Sequence, residues 1–112
     1  MNDEGHLPYQ RPPLSKAYLK GTGGPDTLMF RPEKFYHDQK IDLIADRVTS
    51  IDRAARKVLL ASGASLEYGH LVLATGARNR LLDIPNANLD GVRYLRILDD
   101  SEALRQQLSP GR

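Results

Sequence analysis

HLVLATG, residues 70–76, differs in pattern from everything around it. Leu71 to Ala74 is continuously apolar, as a strand covered on both faces of a parallel sheet must be. The run then stops abruptly at a hydroxyl and a glycine. Such an ending lets the backbone come very close to another molecule. In open α/β sheets, ligands gather at the carboxyl ends of strands. The stretch therefore predicts an α/β fold, and it marks Ala74, Thr75 and Gly76 as a candidate binding element.

The segments upstream follow a different period. Ile41-Asp42-Leu43 alternates apolar and polar. Residues 47–52 and 57–61 read as strands joined by DRAAR. Ser62-Gly63 is a hairpin turn, and Leu66-Glu67-Tyr68 pairs back, which completes a β-meander. Before the meander, Pro32 opens a helix over residues 32–39, with Phe35 and Tyr36 toward the core. After HLVLATG, residues 77–91 are a loop rich in Asn, Asp and Pro, and VRYL (92–95) reads as one more short strand. Asp99, with Glu102 three residues later, forms a capping box for a helix that reaches Leu108, with Leu104 and Leu108 on one face. SPGR, residues 109–112, reads as a linker.

Residues 1–13 are expected to be extended. Pro12 and Pro13 fix two φ angles and remove two backbone donors. Ser15 then caps a short helix to Lys20, and Gly21 ends it. Lys16 is thereby placed near a helix N-terminus, a poor location for a cation, and this singles it out as a functional candidate. GTGGPDT, residues 21–27, is a flexible loop. It is not a G-x-G-x-x-G phosphate loop, because position 26 is Asp and no strand precedes it.

The bulk properties exclude several classes. A chain of 112 residues holds one domain at most and can bury a core. A hydrophobic content of 40% with 27% charged residues fits a globular protein rather than a disordered one. Lys and Arg number 16 against 14 Asp and Glu, and no basic run is interleaved with aromatics, so nucleic-acid binding is not expected. There is no cysteine, which removes disulfides, a thiolate nucleophile and a redox dithiol. The apolar run is far too short to span a membrane, and the polar start MNDEGH is no signal peptide, so a cytoplasmic location is expected. His6, His37 and His70 have no ligand spacing, so no metal site is expected. No serine sits in a G-x-S-x-G context. Asp99 and Asp100 are explained by helix capping, and Glu102 with Arg105 reads as a solvated helix face.

Three stretches carry a family resemblance. RPPLSKAYL (11–19), preceded by DEGHLPY (3–9), resembles the flavin-contacting segment of FAD-dependent ferredoxin and rubredoxin reductases. LVLATGAR (71–78) is similar to the returning strand of the FAD domain in that family. VRYLRILDDSEALRQQL (92–108) is similar to its connector toward the NAD domain. The resemblance runs over the whole chain in order. RPPLSK together with YLR is its specific part, whereas ATG occurs in many two-dinucleotide flavoproteins. Monodehydroascorbate reductases and apoptosis-inducing-factor-like proteins resemble this segment too.

The resemblance implies that residues 1–112 are an internal part of the FAD domain of a flavoprotein with two dinucleotide-binding domains. Residues 1–40 would be the flavin-contacting segment and helices, 41–76 the β-meander and returning strand, and 77–112 the connector. Asp3 would accept hydrogen bonds from the adenosine ribose. Arg11 and Pro12 would line the flavin and pyrophosphate side. Lys16, held in place by the prolines, would approach the isoalloxazine near N5 and stabilise the negative charge of the reduced ring. Val48 would contact the adenine through its backbone, Ala74, Thr75 and Gly76 would pass close to the dinucleotide, and Arg96 would face the flavin. None of these is assigned a catalytic role. NADH or NADPH would act through a domain outside these residues, and a ferredoxin or rubredoxin would accept the electrons. The related disulfide reductases carry a redox cysteine where this chain has PPLSK, so the flavin would pass electrons on one at a time.

The family's first strand and its G-x-G-x-x-G turn would precede Asp3 and are not among these residues. The expectation is that 1–112 alone binds FAD weakly or not at all, has no reductase activity, and shows an exposed apolar edge around Leu71–Leu73. The competing expectation is a stand-alone, non-enzymatic α+β protein-interaction module, favoured by the local pairing of residues 41–68. Oligomeric state is open on either reading.

Overall fold

A computed structural model describes residues 1–108. The chain divides into two compact units, each built from two stretches. One unit comprises Met1–Leu7 and Arg31–Thr75, and the other comprises Pro8–Phe30 with the chain from Gly76 onward.

The first unit is built around the β-meander. Its strands are β1 (Val48–Asp52), β2 (Lys57–Leu60) and β3 (Ser65–Glu67), antiparallel in the order β1-β2-β3. Ile51 lies opposite Val58, which in turn lies opposite Leu66, and the register shifts between Val48 and Ser50. Along β2, Val58 and Leu60 are buried while Leu59 is exposed, the period of two that a half-covered sheet imposes. Asp52 Oδ1 accepts from the Ala55 amide at 2.9 Å and so shapes the DRAAR connection. Lys57 and Glu67 form a cross-strand ion pair at 3.1 Å.

Ahead of the meander, α1 spans Glu33–Asp38 and buries Tyr36, while Phe35 stays more exposed. Pro32 is the residue before the helix rather than its first turn, with ψ at 156°. The helix closes with two reversed bonds, Ile41 N to Tyr36 O (2.8 Å) and Lys40 N to His37 O (3.0 Å). Lys40 takes φ of 53° there, in the position glycine commonly fills. Residues 41–43 form no strand. Instead Asn2 bridges to Ala45 in a parallel sense, with Asn2 N on Ile44 O at 3.0 Å and Asp46 N on Asn2 O at 2.9 Å.

HLVLATG is not a strand here, which corrects the sequence reading. Val72 is 86% exposed and Leu73 is 68% exposed. A strand covered on both faces needs neighbours to pair with, and among the described residues none pairs with this stretch. Leu71, Val72 and Leu73 are exposed as expected, but as an irregular segment rather than as the edge of a sheet.

The second unit carries two 3-10 helices, Pro12–Ser15 and Pro25–Leu28, and the longer helix α2, Leu98–Gln107. Its core is Leu14, Tyr18, Leu28 and Leu98, with Tyr9, Met29 and Leu95 packed against it. Burying side chains of this size contributes roughly 1.5–3 kcal/mol each. Pro12 and Pro13 lie inside the first 3-10 helix and Ser15 ends it, so Ser15 is not its cap. A proline tolerates the first helical positions because the donor it lacks has no intrahelical partner there. GTGGPDT is less loose than expected, since Pro25 opens the second 3-10 helix.

Residues 92–95 form no strand; Val92 N bonds Leu89 O at 3.1 Å in a turn. The carboxylate that caps α2 belongs to Asp100, not Asp99. Asp100 Oδ2 reaches back to the amides of Arg96 (2.8 Å) and Ile97 (2.9 Å). Leu98 and Ser101 are the buried residues of α2, whereas Leu108 is exposed. Ser101 Oγ donates to Leu14 O at 2.8 Å, tying α2 to the first 3-10 helix. Glu102 and Arg105 are not a free solvated face. The Tyr18 hydroxyl donates to Glu102, Arg105 pairs with Glu102 at 3.1 Å, and the Arg105 guanidinium stacks 4.8 Å from the Tyr18 ring centre. SPGR lies outside the described residues.

Candidate functional site

The second unit contains a cleft of about 350 Å³ lined by Arg11, Pro12, Leu14, Ser15, Asn79, Leu95 and Arg96. Its two sides come from the first 3-10 helix and from the segment just before α2. Each guanidinium is held by backbone. Arg11 Nη1 donates to the Arg96 carbonyl at 3.0 Å and to the Tyr9 hydroxyl at 3.3 Å, and its guanidinium lies 5.2 Å from the Tyr9 ring centre. Arg96 Nε donates to Ala77 O at 3.2 Å.

Two fixed cations face one cleft, and among the described residues no acid lines it. The Asp100 carboxylate, four residues beyond Arg96, is committed to the Arg96 and Ile97 amides. Pro12, Leu14 and Leu95 make part of the wall apolar, while Ser15 and Asn79 add polar groups. Such a lining suits a flat, partly apolar molecule that carries negative charge, because guanidinium forks bind oxyanions and stack on the faces of aromatic rings.

Gly76 belongs beside this cleft. Its φ is +68°, and a Cβ there would lie 3.6 Å from Arg96 Nη2. The space is ordinary, so the requirement for glycine comes from the backbone angle. Thus Arg11, Pro12, Gly76 and Arg96, all marked from sequence, come together. Lys16 does not line the cleft. It is exposed, one residue beyond Ser15, and it occupies the C-terminal end of the 3-10 helix with φ of −129°. The helix-dipole argument that singled it out therefore does not apply. Ser15, Asn79, Leu95 and Tyr9 were not marked as site residues. Ser15, Tyr9 and Leu95 lie inside the quoted stretches and Asn79 directly follows LVLATGAR, which was the available signal.

The remaining marked residues lie in the first unit. Asp3 Oδ2 accepts from Arg47 Nε (3.0 Å) and Nη2 (2.9 Å). Val48 opens β1, an outer strand of the sheet. Ala74 and Thr75 are exposed and irregular. A larger depression of about 640 Å³ in the second unit, lined largely by Leu81, Leu82, Ile84, Leu89 and Val92, contains none of the marked residues. Among the described residues, no three His, Asp or Glu groups converge as metal ligands.

The family described as pyridine nucleotide-disulphide oxidoreductase matches residues 1–112. The chain belongs to this family. Within the pyridine nucleotide-disulphide oxidoreductases, it is 47% identical over 110 residues to rhodocoxin reductase of Rhodococcus erythropolis, covering 97% of this chain and 26% of that protein. The ferredoxin reductase for the CYP199A2 system from Rhodopseudomonas palustris is 73% identical, with a TM-score of 0.88 over 95% of this chain and 26% of that one. The reductase in the covalent putidaredoxin reductase–putidaredoxin complex is 40% identical, with a TM-score of 0.82 over 94% of this chain and 26% of that one. The chain thus spans about a quarter of the length of the relatives it matches. The resemblance to ferredoxin and rubredoxin reductases read from RPPLSK, ATG and YLR is borne out, and so is the α/β fold class. The meander and flanking helices are a piece of a flavoprotein reductase fold. No helix among the described residues is long and apolar enough to cross a membrane.

Proposed function

We propose that this chain supplies the flavin-contacting part of the FAD domain of a cytoplasmic, NAD(P)H-dependent reductase that passes electrons to a ferredoxin or rubredoxin. The observation that carries this reading is the cleft in which Arg11 and Arg96 face a partly apolar lining with no acid among the described residues. Relatives that share the fold and are named for ferredoxin, putidaredoxin or rubredoxin reduction support it. Residues 1–112 would be one part of that domain, with 1–40 contacting the flavin, 41–76 the meander and return, and 77–112 the connector.

Each residue then has a stated task. Arg11 and Arg96 donate hydrogen bonds and offset negative charge, and the Pro12, Leu14 and Leu95 wall excludes water from one side of the ring. Lys16, exposed one residue beyond Ser15, contributes a third cation toward the ring. Asp3 uses Oδ2 for Arg47, and its Oδ1 accepts from ribose hydroxyls. Val48 offers backbone at the outer strand, and Ala74, Thr75 and Gly76 offer close backbone approach. When bound, FAD supplies hydride acceptance and single-electron release. With no cysteine in the chain, no thiol relay is available here.

The test is a chimera. Residues 1–112 replace the matching segment of putidaredoxin reductase, and flavin content and NADH-dependent reduction of putidaredoxin are measured. A yellow, active chimera that loses flavin with Arg96→Ala supports the reading. A folded chimera without flavin refutes it and favours the non-enzymatic interaction module, which the self-contained β1–β3 meander would suit.

A further inference from the structure

Arg96 is one of the two cations that line the cleft, and a flexible arginine contributes little unless its position is fixed. Its Nε donates to Ala77 O and its amide to Asp100, and three further contacts act on the segment that carries it. The Tyr9 hydroxyl accepts from the Leu98 amide at 3.0 Å and from Arg11 Nη1 at 3.3 Å. The same Arg11 Nη1 donates to the Arg96 carbonyl at 3.0 Å. The Arg11 guanidinium is also stacked near the Tyr9 ring at 5.2 Å. Tyr9 itself is anchored by its bridge to Met29 and by its packing on the Leu14, Tyr18, Leu28 and Leu98 core. One phenol therefore grips the backbone two residues after Arg96 directly, and grips Arg96 itself through Arg11.

We propose that Tyr9 is a positioning residue of the cleft: its hydroxyl, acting on Leu98 N and Arg11, holds the 95–98 segment so that the Arg96 guanidinium faces the bound anion. This deepens the flavin reading and rests on it for the identity of the anion. The chemistry that needs it is electrostatic preorganisation, in which a donor already fixed in place does not have to be ordered when the ligand binds. The arrangement also assigns Arg11 a second task. Its planar fork acts as a strut between Tyr9 and Arg96, and a lysine, with one point charge and no fork, cannot reproduce that bridge.

The experiment uses the 1–112 chain and the variants Tyr9→Phe, Arg11→Lys and their double. Hydrogen exchange is read at three sites: the Leu98 amide, Arg96 Nε, and the Gln10 amide, which bonds Leu28 O at 2.9 Å and reports the far side of the same segment. Tyr9→Phe should speed exchange at Leu98 N and at Arg96 Nε by roughly five-fold, the value of one ordinary hydrogen bond, with Gln10 N unchanged. Inorganic pyrophosphate is then titrated and followed through the Arg96 Nε signal. Affinity should fall by roughly five-fold in each single variant, with a double variant no weaker than the worse single, since both act along one path. Exchange at Arg96 Nε that does not move, a Gln10 amide that loosens equally, or losses that simply add would each overturn the positioning role. If the chain joined behind a βαβ unit carrying a G-x-G-x-x-G turn also responds to neither pyrophosphate nor FAD, the flavin reading fails, and the exchange comparison still decides whether Tyr9 holds Arg96.

Discussion

Tyr18→Phe removes one oxygen from the second unit and tests how α2 is locked to the turn that follows the first 3-10 helix. Tyr18 is 1% exposed, and its hydroxyl donates to Glu102. The phenylalanine fills the same volume, so no cavity term enters. A hydrogen bond to a charged acceptor contributes about 1.5–3 kcal/mol net. Glu102 is partly solvated and keeps Arg105 at 3.1 Å after the change, which places the expected loss toward the low end, about 1–2 kcal/mol. The same contact has a pH signature. Burial first, and then the neighbouring Glu102 carboxylate, push the Tyr18 pKa above its ordinary value of 10.0. A group whose folded pKa is raised contributes stability that is complete below the unfolded value and is lost as pH rises through the folded one. Tyr18 thus stabilises the fold fully below about pH 10 and progressively less above it. Urea unfolding of the chain and of Tyr18→Phe, at pH 7 and again above pH 10, measures both effects. The gap between the two proteins should shrink at alkaline pH. Equal stability at pH 7, or a gap that does not narrow, would show that the Tyr18–Glu102 contact does not hold α2.

Other consequences are as direct. Gly76→Ala should destabilise by about 1–2 kcal/mol in urea unfolding, because the +68° φ penalises a side chain while the 3.6 Å clearance adds no clash. Val72→Lys should leave the unfolding midpoint unchanged and lower aggregation measured by light scattering, since the apolar residue it replaces lies on an unpaired, exposed edge. The Ser62 hydroxyl and the Arg47 amide hold the Asp46 carboxyl below its usual pKa of 3.8. The stability Asp46 contributes is present above about that pH and is lost as pH falls through the lowered value. An NMR acid titration should show the Arg47 amide, 2.7 Å from Asp46 Oδ1, moving with this carboxylate, and Ser62→Ala should raise the midpoint.

The parts of the fold that were legible in the sequence are those set by neighbours in the chain. The meander, the turn at Ser62-Gly63, α1 after Pro32 and α2 near Asp99 each rest on a turn residue, a proline or a capping acid within a few positions. The errors were also local in part. Two prolines can enter a 3-10 helix, so Ser15 closes the helix it was expected to open, and Lys16 moves to the opposite end with it. The capping carboxylate shifted by one residue, because Asp100 rather than Asp99 reaches the amides before α2. HLVLATG failed for another reason. A buried strand is defined by the strands beside it, and nothing within a seven-residue run says whether they are present. The cleft residues Arg11 and Arg96 were legible only through the family resemblance, because 85 positions separate them. The Tyr9 hydroxyl, which bonds Leu98 across 89 positions, gave no local signal at all.

An FAD titration decides whether the Arg11–Arg96 cleft belongs to a flavin site. Flavin fluorescence is followed with residues 1–112 alone and with the same chain joined behind a βαβ unit carrying a G-x-G-x-x-G turn. The expected result is weak or absent binding by the first, saturable quenching by the second, and at least tenfold weaker binding in the second after Arg96→Ala, as the loss of one charge-assisted hydrogen bond requires. Saturable binding that is indifferent to Arg96→Ala, or a folded joined protein that leaves FAD fluorescence unchanged, would contradict it.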